Sequence, residues 1–382
     1  MVKLPQVVGA LIAGVVLGPA CLGWVQNTEM LSNLSEIGVI VLMFTAGLGT
    51  DISELRRCGK ATFVIALIGV IVPLLGGFAV AYFYNDSSLD NFMLQNIFIG
   101  IILTATSVSI TVETLKEMGK LNTPAGNAIL GAAIIDDILG IICLTLVISL
   151  GSGGVDAAGI GMVLLKILGF FLFTAIAAVG YHYAFKKWSD SSPVKLRRYV
   201  VISFAFCLAL SYCAEEFFGV ADITGAFFAG LALSGTKKSD YVEKRVDTLS
   251  YMLLSPIFFA SIGLKVELPQ MSMRIVVLTV LLCVVAALTK VIGCGLGAKL
   301  CHYSGKESLQ IGVGMISRGE VALIVANKGE AVGLMNDDFF APVVIMVVVT
   351  TVITPILLKL VFKEKSSPNF EAQTKAEPIS IG

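Results

Sequence analysis

Charged residues are scarce in this sequence. Only 14% of its 382 residues are charged, whereas soluble domains carry roughly 25%. The formal net charge is zero, so the chain has no global basic field of the kind that attracts nucleic acid. Hydrophobic residues make up 56% of the chain and form long apolar runs. These features exclude an ordinary soluble domain and a nucleic-acid-binding protein, and they indicate a membrane protein.

Paired cysteines are also missing. The eight cysteines are scattered, none forms a CxxC pair, and most lie inside apolar runs. We interpret them as small apolar packing residues rather than metal ligands or redox groups. The apolar run at the N-terminus lacks the small-residue cleavage site of a signal peptide, so we count it as a spanning segment.

Long apolar runs dominate the sequence. A helix needs about 20 such residues to cross a bilayer, and twelve runs qualify, some of them short. The predicted spans are residues 5–25, 34–49, 61–84, 94–115, 124–150, 158–185, 198–214, 219–235, 248–264, 274–298, 307–327 and 338–362. The fold class predicted is therefore an all-α polytopic membrane protein.

Basic residues alternate between the predicted connections. Sixteen lie in the loops after spans two, four, six, eight and ten, and three lie in the other six loops. The positive-inside rule produces this alternation when the helix count is right. We therefore expect about twelve transmembrane helices with both termini in the cytoplasm.

An internal repeat links the two halves of the chain. Residues 9–17 and 225–233 are identical at five of nine positions, at an offset of 216. The same offset aligns Gly47-Leu48 with Gly263-Leu264, Asp51 with Glu267, and Gly77 with Gly293. The repeats comprise spans one to five and eight to twelve, so equivalent spans are seven apart in order. Because seven is odd, each span crosses the membrane in the direction opposite to that of its equivalent. Inverted repeats are typical of transporters, with a midplane site between broken helices.

Two adjacent carboxylates, Asp136 and Asp137, lie inside the predicted fifth span. Ionisable groups at membrane depth are costly and mark functional sites. Neighbours on a helix point about 100° apart, so we expect both to face different parts of one cavity. Oxygen ligands suit a hard cation such as sodium, and the same carboxylate binds a proton when the cation leaves. The alternative is a buried structural pair.

A lone lysine, Lys290, lies inside the predicted tenth span. It needs a carboxylate partner, and Asp136 or Asp137 is the natural one because spans five and ten belong to opposite repeats that meet at the midplane. The alternative is snorkelling of the lysine to the membrane surface. Lys290 lies far from the cytoplasmic end of its run near Lys299, which disfavours this alternative.

The fourth and eleventh spans are repeat equivalents, and both contain polar residues. Residues 103–111 are rich in Thr and Ser, so this helix can unwind and offer carbonyls and hydroxyls to an ion. An intact helix with hydroxyl back-bonding is the alternative. In the eleventh span, Arg318 and Glu320 can neutralise dipole ends where two broken helices cross. Structural support and ion gating both remain open for these two residues.

These motifs together resemble the monovalent cation/proton antiporter-2 family, and within it the sodium/proton antiporters. The match covers nearly the whole chain, with several motifs in the same order and spacing. The matching pieces are residues 5–9 with 17–19, residues 44–48 with Asp51, residues 104–111, Asp136-Asp137, residues 290–297 and residues 318–323.

The resemblance implies a sodium/proton antiporter-like fold with two domains. Residues 61–150 and 274–362 would form a core transport domain of helices 3–5 and 10–12. Residues 1–60 and 151–273 would form a dimerisation domain of helices 1, 2 and 6–9, so a homodimer is expected. Residues 363–382 would form a short cytoplasmic tail. Its roughly 17 polar residues after Lys365 are too few for the nucleotide-binding domain of some relatives, and relatives often begin with one more helix.

The resemblance also assigns roles to individual residues. The second aspartate, Asp137, corresponds to the ion ligand, and the first, Asp136, pairs with Lys290. The hydroxyl of the unwound helix matches Thr106, with Ser107 beside it. The expected sodium ligands are therefore Asp137 and Thr106.

The function predicted is secondary active transport across the cell (inner) membrane. Sodium would leave and protons would enter by alternating access. The exchange is expected to be electrogenic and to contribute to pH homeostasis. No bond is made, so no enzyme and no cofactor are expected. The alternatives are a potassium/proton or mixed sodium/potassium–proton antiporter and, from another class, an ion channel or a sensor subunit.

Overall fold

Fifteen α-helices and one π-helical segment, Ser250–Leu254, make up the described chain, and no strand occurs within it. The structure is a computed structural model that describes residues 6–85, 91–151, 157–191, 196–265 and 272–363. The helices are α1 Gln6–Leu17, α2 Glu29–Leu48, α3 Ile52–Tyr84, α4 Phe92–Ile102, α5 Val108–Glu117, α6 Pro124–Gly151, α7 Ala157–Ser191, α8 Leu196–Phe218, α9 Asp222–Leu233, α10 Ser239–Leu249, α11 Ser255–Leu264, α12 Met273–Leu300, α13 Gly305–Gly314, α14 Gly319–Ala331 and α15 Asp337–Val361.

The helices reproduce the twelve predicted spans. Among the described residues, eight helical stretches are long and apolar enough to cross a membrane, and α1, α4 and α9 are shorter apolar helices. The fourth span is divided into α4 and α5, and the eleventh into α13 and α14. Helices α10 and α11 continue through the π-helical segment as one span. The predicted all-α fold with two broken helices is confirmed.

Some predicted boundaries were wrong for physical reasons. The first helix ends at Leu17, not at residue 25, because Pro19 disfavours helical backbone at the residue before it. The ninth span starts at Ser239 rather than at residue 248, because its first turns are polar and carry no hydropathy signal. The fourth span continues to Glu117 rather than ending at residue 115, and the buried Glu113 lies within α5.

Polar caps set several helix starts. The Asp51 side chain accepts a hydrogen bond from the Ser53 amide at the start of α3. Helix α13 starts with a capping box, in which Ser304 and Glu307 each accept from the other's backbone amide. Such caps satisfy amides that the first helical turn leaves unpaired.

The two repeats run in opposite directions, as predicted. Helices α3 and α12 occupy equivalent repeat positions and pack extensively against each other. Gly297 lies against Ile65 near one end of the pair, and Gly76 lies against Thr289 further along α3. Residue numbers therefore rise along α3 as they fall along α12, so the two helices are antiparallel.

Two close helix crossings at glycine residues are also equivalent under the repeat. A Cβ at Gly47 of α2 would lie 2.1 Å from the Phe227 carbonyl oxygen of α9. A Cβ at Gly14 of α1 would lie 2.0 Å from the Ala260 carbonyl oxygen of α11. The repeat offset maps one crossing onto the other, because Gly47 corresponds to Gly263 of α11 and Gly14 to Gly230 of α9. Backbones touch at both crossings, which only residues without a Cβ permit.

Most helix contacts fall into two groups. Helices α3 to α6 pack with α12 to α15, whereas α1 and α2 pack with α7 to α11. The larger contacts between the groups join α6 with α7, α2 with α5, and α1 with α15 and α5. One apolar core cluster contains residues of both groups, and a second contains residues of the α3–α6 and α12–α15 group only.

Candidate ion-binding site

Two interrupted helices cross near the middle of the fold. Residues 103–107 separate α4 from α5, and residues 315–318 separate α13 from α14. The Ser107 amide donates a hydrogen bond to the Ser317 carbonyl at 2.8 Å. The Thr111 hydroxyl donates to the Gly314 carbonyl at 2.7 Å. The crossing therefore brings four helix ends together, each with unpaired backbone groups that can bind charge.

Arg318 lies inside this crossing and is fully buried. One terminal guanidinium nitrogen donates to the Ala105 carbonyl and the other to the Ala286 carbonyl of α12, both at 2.7 Å. The neighbouring Gly319 has a φ of +51°, and a Cβ there would lie 2.4 Å from the Ser107 side chain. The hydrogen bonds of Arg318 thus link the break in the fourth span to α12, and its guanidinium supplies positive charge at a helix C-terminus.

A buried ion pair lies beside the crossing. Lys290 Nζ of α12 lies 2.8 Å from Asp136 Oδ1 of α6, and both side chains are almost wholly buried. The same ammonium donates to the Gly69 carbonyl of α3 at 2.9 Å. Lys290 therefore has a carboxylate and a carbonyl to compensate the loss of its hydration.

Asp137 faces a cavity of about 100 Å³ that Asp136 also lines. Asp136 is 3% exposed, whereas Asp137 is half-buried. The other lining residues are Ile101, Thr104, Ala105, Gly140, Ile141, Leu144, Ala221, Ile223, Val321 and Val325. A carboxylate in so apolar a cavity is suited to a small cation or a proton, because either one neutralises its charge.

The cavity leads into a wide vestibule of about 1120 Å³. Six residues line both spaces, namely Ile141, Leu144, Ala221, Ile223, Val321 and Val325. Vestibule residues Glu36, Glu215 and Asp222 place carboxylate oxygens within 4.8 Å of one another, and Lys265 and Lys328 also line it. Asp137 is therefore accessible from one face of the protein.

The opposite face is closed by contacts between the two helix groups. The Lys116 ammonium at the end of α5 contacts the Asp247 carboxylate of α10 and donates to the Thr45 hydroxyl of α2 at 3.0 Å. The Gln6 amide of α1 donates to the Glu117 carboxylate at 3.1 Å. The apolar core shared by both groups surrounds this end of α5.

The structure brings together some of the residues singled out by sequence and separates others. Asp136, Asp137, Lys290 and Arg318 all lie around the crossing. Thr106 and Ser107 lie in the break but do not line the described cavity, whereas Thr104 does. The Glu320 side chain lies outside the described residues.

Two further polar residues fall away from the cavity. Lys166 is exposed on α7. His182 is half-buried, with Nδ1 2.8 Å from the Ala232 carbonyl of α9, so its ring donates a hydrogen bond to that carbonyl. No periodic pattern in the sequence marks this contact.

Comparison with known proteins identifies the family. The sequence model of the transmembrane domain of sodium/hydrogen exchangers matches residues 1–364. The chain belongs to the sodium/hydrogen exchanger family. Members of this family are multi-pass membrane antiporters, not enzymes, and the predicted resemblance to sodium/proton antiporters is confirmed.

Similar proteins within the family cover nearly the whole chain. The Na(+)/H(+)-K(+) antiporter GerN of Bacillus cereus is 42% identical over 366 residues, which cover 94% of this chain and 91% of that protein. A Na(+)/H(+) antiporter of Enterococcus hirae is 39% identical, with 94% and 92% covered.

The solved structure of the sodium proton antiporter MjNhaP1 from Methanocaldococcus jannaschii has the same fold. Its TM-score is 0.66 at 18% sequence identity, and the match covers 92% of this chain and 89% of that one.

Proposed function

We propose that this exchanger moves sodium ions out of the cell in return for protons, with Asp137 as the group that binds either one. The observation that carries the proposal is the placement of Asp137. It lies in a small cavity, beside a buried Asp136–Lys290 pair and a crossing of broken helices, and the cavity opens toward one face.

Competition at one carboxylate would couple the two ions. A deprotonated Asp137 binds sodium, and a proton that binds the same group displaces the ion. Either ion neutralises the carboxylate, so the loaded site can pass through the closed state at low cost. The bare carboxylate keeps its negative charge there, which disfavours passage of the empty site.

Alternating access requires a second state that opens on the other face. The two groups of helix contacts support a core domain of residues 61–150 and 274–362 that moves against residues 1–60 and 151–273. In the present state they are separated by the vestibule on one face and joined by the α5 contacts on the other. Alternating loop charge supports cytoplasmic termini, so the vestibule would face outward.

The Asp136–Lys290 pair supports electrogenic exchange. If sodium binding breaks this pair, Lys290 can release a second proton, and one net charge crosses the membrane in each cycle. The membrane potential would then bias exchange by about 2.3 kcal/mol per 100 mV. Arg318 supports the site structurally by holding the break in place, and Thr106 and Ser107 would contribute backbone positions within that break.

Further features of the predicted assembly belong to the same proposal. The protein would form a homodimer in the cell membrane through the α1, α2 and α7–α11 group, and α7 carries a continuous exposed apolar face. The transported species would be sodium and protons, with no additional cofactor. Export of sodium against proton entry would contribute to pH homeostasis.

Potassium is the second candidate substrate. The relative from Bacillus cereus is named for potassium as well as sodium. Cavity size and ligand number decide between these ions. A channel or a sensor subunit is disfavoured, because the described path to Asp137 is closed on one face and a channel needs a continuous pore.

The test uses purified protein in proteoliposomes, with each alkali cation added in turn while internal pH is recorded. We expect sodium-dependent proton movement by the wild type and none by Asp137→Asn. The control is Asp240→Asn, the same chemical change at an exposed position of α10, which should retain wild-type rates. Normal exchange by Asp137→Asn would overturn the site assignment. A potassium-valinomycin clamp then tests charge movement, and a rate that ignores the clamped potential would contradict electrogenic exchange.

A further inference from the structure

The cavity beside Asp137 contains few side-chain oxygen atoms. Among its described lining residues, Thr104 is the only one besides the two aspartates whose side chain carries oxygen. Asp136 is already bound to Lys290 at 2.8 Å. A sodium ion takes several oxygen ligands, so one carboxylate would be supplemented by hydroxyls, carbonyls or water.

The hydroxyl of Thr104 is oriented to accept rather than donate. Its oxygen lies 2.8 Å from the Ile101 carbonyl, which can only accept, so the hydroxyl hydrogen points there. A hydroxyl has one hydrogen and two lone pairs, and the lone pairs remain for another partner. A cation is such a partner, because it binds lone pairs and is repelled by hydroxyl hydrogens.

The other hydroxyls of the break are placed differently. Thr104 and Thr106 are each 1% exposed, but the Thr106 hydroxyl lies 3.4 Å from the Thr104 carbonyl. The Ser107 hydroxyl lies 3.1 Å from the Ser109 hydroxyl. Neither residue lines the described cavity, so their side chains are poorer candidates for an ion that binds Asp137.

Arg318 occupies the Ala105 carbonyl, which would otherwise be a competing cation ligand, and it holds Thr104 in position. The Ala105 carbonyl borders the same cavity, but it already accepts from the Arg318 guanidinium at 2.7 Å. A second positive charge at that oxygen would be repelled by the first. The same guanidinium binds the Ala286 carbonyl, so the segment that carries Thr104 is fixed to α12.

We infer that the Thr104 hydroxyl is the neutral side-chain ligand of the transported cation, opposite the Asp137 carboxylate. This inference rests on the proposed sodium/proton exchange and replaces Thr106 as the expected hydroxyl ligand. It makes Thr104 a residue that sets sodium affinity while leaving proton binding to Asp137.

Three variants of the full chain in proteoliposomes test the inference. Thr104→Val keeps the shape and removes the hydroxyl, and Thr104→Ser keeps the hydroxyl. Thr279→Val is the matched control, because Thr279 of α12 is also buried and its hydroxyl also donates to a helix carbonyl, that of Ile275 at 2.7 Å, but it does not line the described cavity. We expect Thr104→Val to raise the sodium KM about tenfold, as loss of one ligand does, with little change in maximal rate. Thr104→Ser and Thr279→Val should stay within about twofold of wild type.

A binding readout on folded protein accompanies transport. The sodium concentration that half-maximally raises the thermal stability in detergent should shift by the same factor in Thr104→Val. A wild-type value for Thr104→Val in both assays would overturn the inference, and so would equal impairment of Thr104→Ser, which would indicate packing.

Failure of this inference is distinguishable from failure of the proposed function. If the wild type exchanges sodium, Asp137→Asn does not, and Thr104→Val is normal, only the role of Thr104 is wrong. If the wild type moves no protons when sodium is added, the proposed exchange itself is wrong.

Discussion

Removal of the Lys290 charge should destabilise the protein strongly unless Asp136 is changed with it. The ammonium lies 2.8 Å from Asp136 Oδ1, and the two side chains are 0% and 2% exposed. Lys290→Met leaves a buried carboxylate without its partner. Loss of one member of a buried ion pair costs about 3–5 kcal/mol, whereas replacement of both members is often close to neutral. The double variant Lys290→Met/Asp136→Asn should therefore be more stable than Lys290→Met alone.

The assay is thermal unfolding of the purified protein in detergent, analysed as a double-mutant cycle. The coupling free energy between the two positions should be about 2 kcal/mol or more, since contacting buried groups are not additive. Lys299→Met is the matched control, because Lys299 lies on the same helix at an exposed position and should change stability by less than about 0.5 kcal/mol.

A Lys290→Met variant that is as stable as the wild type, or single effects that add without coupling, would refute the account of this ion pair.

Three other perturbations follow from the packing and topology. Gly47→Ala should destabilise the protein by about 1–3 kcal/mol in thermal unfolding, because the new Cβ would meet the backbone of α9. Gly180→Ala is the control and should be neutral, because no atom lies within 4 Å of its new Cβ. Equal effects of the two substitutions would contradict the close crossing. In a cysteine-free background, a cysteine at position 87 should react with an impermeant thiol reagent in intact cells and one at position 191 should not, and the reverse would overturn the helix count. Asp247→Asn removes the ion pair between Lys116 of α5 and α10, which helps to close the face opposite the vestibule. Labelling of a cysteine placed on that closed face should therefore rise several-fold. Unchanged labelling would show that the ion pair does not hold this face closed.

Hydropathy, loop charge and the repeat offset predicted most of the fold. These signals depend on composition and spacing, which the bilayer constrains strongly because every span needs an apolar length. They could not place the start of α10, because its first turns are rich in polar residues although the helix packs beside α2 and α8. They also could not show that α1 ends at Leu17.

Side-chain partners within the site required three-dimensional information. Adjacent aspartates point about 100° apart, so residue types alone left open whether Asp136 or Asp137 faces Lys290. The turn at which the fourth span unwinds decides whether Thr104 or Thr106 faces the cavity, and Thr occurs at both positions. The Arg318 contacts with Ala105 and Ala286 involve backbone carbonyls, which leave no mark in the sequence.

Proton release on sodium binding tests the central claim most directly. Sodium chloride is added to purified protein in weakly buffered detergent solution at a pH where the site is protonated, and the released protons are counted with a pH indicator. Competition at Asp137 predicts about one proton released per sodium bound, or more if Lys290 also releases one, and none from Asp137→Asn. Sodium binding by the wild type without proton release, or unchanged release from Asp137→Asn, would contradict exchange at this carboxylate.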